Sequence, residues 1–373
     1  MGVSIDVVIP SFRLIEHYLV PILQLKRPAG ARVRFYLLSD NPEVAVSPAI
    51  AEMVNGTDVF LEVNPRNMGA AYTRNRGIES GDGDWILFLD DDITVPADLL
   101  DIYARAAEQA PRATGFIGLV RLPPPGKPFS DAILASGSMD IFTIAEHRKD
   151  FAWGATANMM VRRSAIGNIR FSELYPKSGG GEDVDFFLKV RAANQYENYR
   201  TLPAAEVHHP WWKNEAPDFR RPFRYGTGNA LLPEQLPQHA SRELPNTVET
   251  VLLAVVAAIV AAVLKPALLG PIGIFIGGVL VIECIATTVQ SIKRKAKPGL
   301  LVYWYVVVLR LSHDLGLLWG NLRRGKIEGI TRRFNDNGGF RKSNLFRTNT
   351  YKIVKWILYP LLIWLAASVY TSA

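Results

Sequence analysis

Residues 85–93 read Trp-Ile-Leu-Phe-Leu-Asp-Asp-Asp-Ile. Five apolar residues running straight into three carboxylates have the form of a fully buried strand that delivers acid to its C-terminal end. Working outward, Ile5 to Pro10 (IDVVIP), Val33 to Leu38 (VRFYLL) and Val59 to Val63 (VFLEV) repeat the short apolar pattern. The turn cluster Ser39-Asp40-Asn41-Pro42 closes the second of them. Ala70 to Glu79 has helical character, Phe151 to Ile166 a packed pattern, and Gly179-Gly180-Gly181-Glu182-Asp183 opens a helix expected over Val184 to Ala193. Strands alternating with helices predict an α/β domain with a mostly parallel sheet flanked by helices. Its ligand crevice lies beyond the carboxyl ends of the strands, where Asp40 and Asp90 to Asp92 fall. Residues 121–150, with Pro123-Pro124-Pro125-Gly126, are expected to be a loop-rich excursion. Residues 203–246, rich in Pro, His and Trp, are expected to wrap the site.

The remainder of the 373-residue chain changes character. The net charge of +7 is unevenly placed: from Thr247 onward there are 16 Lys and Arg against 5 Asp and Glu, leaving 26 basic and 30 acidic residues before it. Basic excess within the most apolar third points to a membrane surface and away from nucleic acid. Thr247 to Leu264, Ala267 to Gln290, Leu300 to Leu322 and Ile353 to Tyr370 each approach the length of about 20 residues that crosses a bilayer core. Residues 291–299 hold four basic residues and no acid, and residues 321–352 nine basic and two acidic. Keeping both on the cytosolic side leaves 300–322, with Arg310, His313 and Asp314 in its middle, as an interfacial helix. The expected division is a cytosolic domain over 1–246 and a membrane domain over 247–373, with spans near 247–264, 267–290 and 353–371. The alternative is a four-span arrangement. No basic stretch followed by an apolar one opens the chain, so no secretory signal is expected. The single cysteine, Cys284, excludes an intrachain disulfide framework and a cysteine-based zinc site.

Three adjacent carboxylates at a strand end repel one another unless a cation neutralises them, and hard oxygen ligands suit Mn²⁺ or Mg²⁺. A solvated acidic turn is the plain alternative. Asp40 reads either as a carboxylate facing a nucleobase or ribose, or as an Asx-turn residue. Arg74 offers a bidentate fork for phosphate. Glu182 and Asp183, in the first turn after three glycines, read as a general base or as helix-capping acid. In His208-His209-Pro210-Trp211-Trp212, a histidine suits a third metal ligand and a tryptophan a sugar-stacking platform, or the run is packed core. Trp153 and Asn158 invite a similar sugar-binding reading.

The series VVIPSF (7–12), LLSDNP (37–42), NMGAAYTRNRGI (67–78), WILFLDDDI (85–93), WGATANMMVRRSAI (153–166) and GGGEDVDF (179–186) resembles glycosyltransferase family 2. The resemblance implies a GT-A-type sheet, inversion at the anomeric carbon and a UDP- or GDP-linked sugar donor. It implies donor binding by Pro10, Asp40, Arg74, Asp90 and Asp91, with Asp90 and Asp92 as the outer members of a DxD motif. The metal would take Asp92, Asp90 and His208 or His209. Asp183 beside Glu182 would be the base, and Trp153, Asn158, Trp211, Trp212 and Arg224 would face acceptor or diphosphate. Arg221-Pro222-Phe223-Arg224-Tyr225 is similar to the QxxRW motif of processive members, with Arg for Gln and Tyr for Trp. The expected activity is transfer to a hydroxyl of a lipid-linked or polysaccharide acceptor. Polyprenyl-phosphate transfer and processive synthesis are the alternatives within enzymes.

Overall fold

The computed structural model describes residues 2–297, 299–335 and 349–372. These divide into two compact units: 2–124 with 139–212, and 125–138 with 213–335 and 349–372.

The first unit is built on one eight-stranded sheet. Its strands are β1 (Ser4–Ser11), β2 (Arg32–Ser39), β3 (Val59–Val63), β4 (Trp85–Leu89), β5 (Gly115–Arg121), β6 (Asp150–Phe151), β7 (Asn158–Arg162) and β8 (Tyr199–His208), in the order β3-β2-β1-β4-β7-β5-β8-β6. β3, β2, β1 and β4 run parallel. β7 is antiparallel to both β4 and β5, and β8 is parallel to β5. Two reversals cancel, so β8 ends on the same edge as β4. The two strand ends are joined there by reciprocal Thr94 and His208 backbone bonds of 2.8 and 2.9 Å.

Helices cover both faces of this sheet, which explains the unbroken apolar runs of its inner strands. Alternate residues enter separate cores: Val7, Ile9, Leu87 and Leu89 on one face, Val8, Ile86 and Phe88 on the other. Asp6 is the buried exception in β1, and it accepts from the Gly83 amide at 2.7 Å and Arg163 Nη2 at 2.6 Å. The helix Ala70–Ser80 lies so close to the sheet that a Cβ on Gly77 would stand 2.3 Å from Val8 Cγ1.

The second unit holds helices Pro128–Ser136, Arg220–Asn229, Thr247–Leu264, Leu269–Lys293, Leu300–Leu322 and Thr350–Ser372, and a short ribbon of Ala240–Arg242 against Arg332–Phe334. The segment expected to be loop-rich therefore contains a helix: Pro128 occupies its first turn, and Gly137, at φ 80°, closes it. Four helices are long and apolar enough to cross a membrane: Thr247–Leu264, Pro266–Lys293, Leu300–Leu322 and Thr350–Thr371. Glu249, the one charge in the first, completes a capping box with Asn246 and pairs with Arg333. The helices Pro128–Ser136 and Arg220–Asn229 pack along Leu300–Leu322, the first through Phe129, Ala132 and Ala135 against Val302, Val306 and Leu309. The second approaches to backbone contact, since a Cβ on Gly226 would meet the His313 carbonyl and one on Gly316 the Phe223 carbonyl, each at 2.0 Å.

A polar cluster joins the four long helices. Glu283 accepts from Thr247, from Thr287 at 3.0 Å, from the Tyr351 hydroxyl at 2.6 Å and from Lys355 at 3.1 Å. Arg310 stands 3.7 Å from the same carboxylate and lies over the Tyr351 ring.

Candidate active site

The acidic triplet emerges from β4 beside the ends of β1 and β8, and each carboxylate has a different keeper. Asp90 Oδ1 is 3.5 Å from Arg74 Nη2. Asp91 accepts from Ser11 Oγ at 2.6 Å. Asp92 Oδ2 accepts from Arg13 Nη2 at 2.8 Å, while its Oδ1 faces His209 Nε2 at 3.2 Å. Burial raises the pKa of Asp90 above the ordinary carboxylate range, against the pull of Arg74 and with the push of Asp92. Burial, with the Asp92 charge, lifts Asp91 to about 6.

Asp90, Asp92 and His209 bring one ligand atom each within 4.8 Å of one another, a set that could hold a metal ion. The chemistry of the donor set fits a divalent cation. His209 is 3% exposed, and its Nδ1 lies 2.6 Å from the Pro210 carbonyl, which can only accept. Nδ1 therefore carries a proton, which leaves Nε2, 3.2 Å from Asp92 Oδ1, as the ring atom facing the cluster. The second histidine does not join the cluster. His208 has a side chain 58% exposed and 3.1 Å from Glu206, because consecutive residues at a strand end face opposite ways.

Arg74 is the hinge between this cluster and the next. It is buried beneath Phe171, and its Nη1 lies 3.1 Å from Glu182 Oε1. Glu182 and Asp183 begin the helix Glu182–Ala193, after Gly179, Gly180 and Gly181 at φ 86°, 135° and 100°. Three successive left-handed positions are open only to glycine without strain. They turn the chain so that the Gly180 amide donates to Glu182 Oε2 at 2.6 Å. Glu182 is thus held at both oxygens. Asp183 accepts from the Val184 amide at 2.8 Å, and burial together with the Glu182 charge pushes its carboxyl up to about 7.

Asp40, at the end of β2, has its carboxylate taken by Asn64 Nδ2 at 2.7 Å and by the Met68 and Gly69 amides at 2.8 Å each. It thereby shapes the 64–69 loop. That loop is in turn fastened to the segment that leads into Glu182 and Asp183, through Ala70 N to Lys177 O at 2.8 Å and Lys177 Nζ to Asn67 O at 3.0 Å. Pro10 stands beside Leu38 in the paired ends of β1 and β2. Trp212 packs its ring 4.8 Å from His209, and Trp211 donates to the Pro123 carbonyl at 3.0 Å. Trp153 lies against the core that contains Phe88. Asn158 is buried in β7, taking a bond from Tyr103 at 2.8 Å and giving two to Leu119 O and Ala205 O at 3.1 and 2.7 Å. Its central strand leaves its amide no other company. Arg224 belongs to the second unit, on the helix Arg220–Asn229. Sequence reasoning missed Ser11 and Arg13, whose only signal was their place just after the first strand.

The sequence pattern of Glycosyl transferase family 2 matches residues 6–167. Succinoglycan biosynthesis protein ExoM of Rhizobium meliloti (strain 1021) is 32% identical over 219 residues, covering 56% of this chain and 68% of that protein. The chain belongs to glycosyl transferase family 2. This glycosyltransferase is also 36% identical over 63 residues to a glucosyl-dolichyl phosphate glucuronosyltransferase of Haloferax volcanii, over 17% of its own length and 20% of that protein's. Among solved structures, glucosyl-3-phosphoglycerate synthase from Mycobacterium tuberculosis, in complex with Mn²⁺, UDP-glucose and phosphoglyceric acid, overlays at a TM-score of 0.44. It shares 12% identity, over 63% of the glycosyltransferase and 80% of that chain. The mostly parallel sheet with flanking helices is the α/β architecture expected from the sequence.

Proposed function

We propose that the protein is a membrane-bound, inverting glycosyltransferase that moves a sugar from a nucleoside diphosphate to a hydroxyl of a lipid-linked or polysaccharide acceptor. The observation that carries this is Arg74, whose one guanidinium ties the Asp90 end of a cation-binding cluster to the Glu182-Asp183 turn. Leaving-group and base machinery thereby share one anchor.

A Mn²⁺ or Mg²⁺ ion held by Asp90, Asp92 and His209 would supply positive charge at the departing diphosphate. The chain does the rest. Asp40 and Pro10 frame the nucleoside end through the 64–69 loop, while Asp91 and Arg74 fix the triplet beside the diphosphate. Asp183 takes the proton of the acceptor hydroxyl as its oxygen bonds the anomeric carbon, and the bond from that carbon to the phosphate oxygen breaks on the opposite face. A carboxyl titrating near 7 is well matched to receive that proton at neutral pH. Such a base serves a hydroxyl acceptor better than a lipid phosphate, which is already ionised. The names of the relatives, one in succinoglycan biosynthesis and one acting with a glucosyl-dolichyl phosphate, support a glycan or lipid-linked sugar as acceptor. Trp153, Trp211, Trp212 and Arg224 are assigned to the acceptor side.

Three of the long helices are read as spans, over about 247–264, 267–290 and 353–371, and Leu300–Leu322 as interfacial. The interfacial reading draws support from the charged helix Arg220–Asn229 packed on it, with Arg220, Arg221 and Arg224. Both flanking basic segments then stay with the catalytic unit in the cytosol.

The test is a panel of UDP- and GDP-sugars incubated with the purified full-length protein with and without Mn²⁺. Cation-dependent release of nucleoside diphosphate, accelerated by a glycosylated lipid acceptor, is the expected result. Equal release by the Asp183→Asn and Asp92→Asn variants would overturn it.

A further inference from the structure

Arg13 has no part in the chemistry derived above, yet it touches the acidic triplet directly. It lies two residues past β1, and its Nη2 is 2.8 Å from Asp92 Oδ2 and 3.8 Å from Asp91 Oδ1. The side chain is nevertheless 53% exposed, and Nη1 and Nε have no hydrogen-bond partner among the described residues. Two arginines close by are differently placed: Arg74 is buried between two carboxylates, and Arg163 is bonded through Nε, Nη1 and Nη2.

Asp92 separates two cation positions. Its Oδ1 faces His209 and the cluster able to hold a metal, and its Oδ2 faces Arg13. A guanidinium on the far oxygen does not compete for the near one, so both positive charges can stand at the strand end together. We propose that Arg13 binds the diphosphate of the sugar donor, through the Nη1 and Nε donors that its bond to Asp92 leaves open. This rests on the donor reading given above.

Three physical arguments favour that task. A guanidinium that gives one nitrogen to Asp92 still has donors on the other two, so it can hold the carboxylate and hydrogen-bond phosphate oxygens at once. Anchoring through Asp92 holds the side chain in place before the ligand arrives, which reduces the ordering loss on binding. Negative charge grows on the diphosphate as the sugar leaves, and a fixed cation beside it lowers that barrier. If Arg13 served only to neutralise the triplet, none of these would require its remaining donors to face solvent.

The experiment measures binding, by calorimetry on the full-length protein in detergent with Mn²⁺, of the nucleoside diphosphate and monophosphate that share the donor's base. Arg13→Gln is expected to weaken the diphosphate about tenfold or more, the scale of a lost charged hydrogen bond, and the monophosphate far less. Arg13→Lys should fall between, because it keeps the charge and loses the separate nitrogens that bond Asp92 and phosphate together. Unchanged thermal stability of both half-exposed variants would exclude misfolding as the cause. Equal diphosphate affinity in Arg13→Gln and wild type, or equal weakening of both nucleotides, overturns the proposal. A wild-type protein that binds no nucleoside diphosphate instead overturns the donor reading itself, and this inference with it.

Discussion

Arg74 and Glu182, 108 residues apart in the chain, meet with Nη1 3.1 Å from Oε1, and the other Nη of the same arginine reaches Asp90 at 3.5 Å. Arg74 and Glu182 are both less than a tenth exposed at their side chains. Removing the arginine leaves a buried carboxylate unpaired, a loss on the order of 3–5 kcal/mol. Arg74→Ala should therefore lower the unfolding temperature as well as abolish turnover. Arg74→Lys should keep most stability and lose turnover, because one ammonium cannot span both carboxylates. Calorimetry and donor turnover on the same preparations separate the two effects.

Asp183→Asn should reduce transfer by roughly 10² to 10⁴, the usual range for a general base. The same change should stabilise the protein in alkaline buffer. The folded carboxyl titrates near 7 and the unfolded one near an ordinary value of about 4. Between these the folded chain holds a proton that the unfolded chain has lost, so wild-type stability declines as pH rises from about 4 to about 7. The variant lacks that decline. Thermal unfolding compared at pH 4 and pH 8 checks it: the variant gains at pH 8 and not at pH 4.

Transfer by wild type should climb with pH up to about 7 and then level, as the Asp183 base loses its proton. The measurement is kcat/KM for the acceptor across pH 5.5 to 8.5. A flat profile would remove Asp183 from the role.

The two neighbouring histidines should part company. His209→Ala should weaken Mn²⁺ binding about tenfold or more, whereas His208→Ala, altering an exposed ring beside Glu206, should leave it unchanged. Electron paramagnetic resonance of free Mn²⁺ reads both.

In the second unit, Lys355→Leu leaves Glu283 without its ammonium in an apolar setting, and Glu283→Gln with Lys355→Met should restore much of the loss. Unfolding of the full chain in detergent gives the comparison. A Lys355→Leu protein as stable as wild type would show the pair to be inert.

Much of this architecture was legible because burial on two faces leaves a plain trace. WILFL coincides with β4, VFLEV with β3, and the helix after the three glycines begins within two residues of the expected place. The four apolar helices announced themselves by composition. What sequence could not show were relations set by neighbours. Asn158 looks like a sugar-binding amide until β7 is placed between β4 and β5, where the amide has core carbonyls to satisfy. Choosing His209 over His208 required knowing which way β8 faces. Arg13 acquired meaning only when β1 was laid beside β4. The helix Arg220–Asn229 contains Pro222, Gly226 and Gly228, poor helix formers all. It forms because Gly226, facing Gly316 and Gly320, lets it settle on Leu300–Leu322, a gain that no local pattern records.

The bond between Glu283 and Lys355 has a consequence for biogenesis. Synthesis reaches the lysine 72 residues after the glutamate, so the hairpin of Thr247–Leu264 and Leu269–Lys293 is made while its acidic residue still lacks the ammonium that will hold it. Until Arg310 follows, Thr247 and Thr287 are the partners available to the carboxylate, and a chain interrupted before Arg310 would be a natural client for membrane quality control.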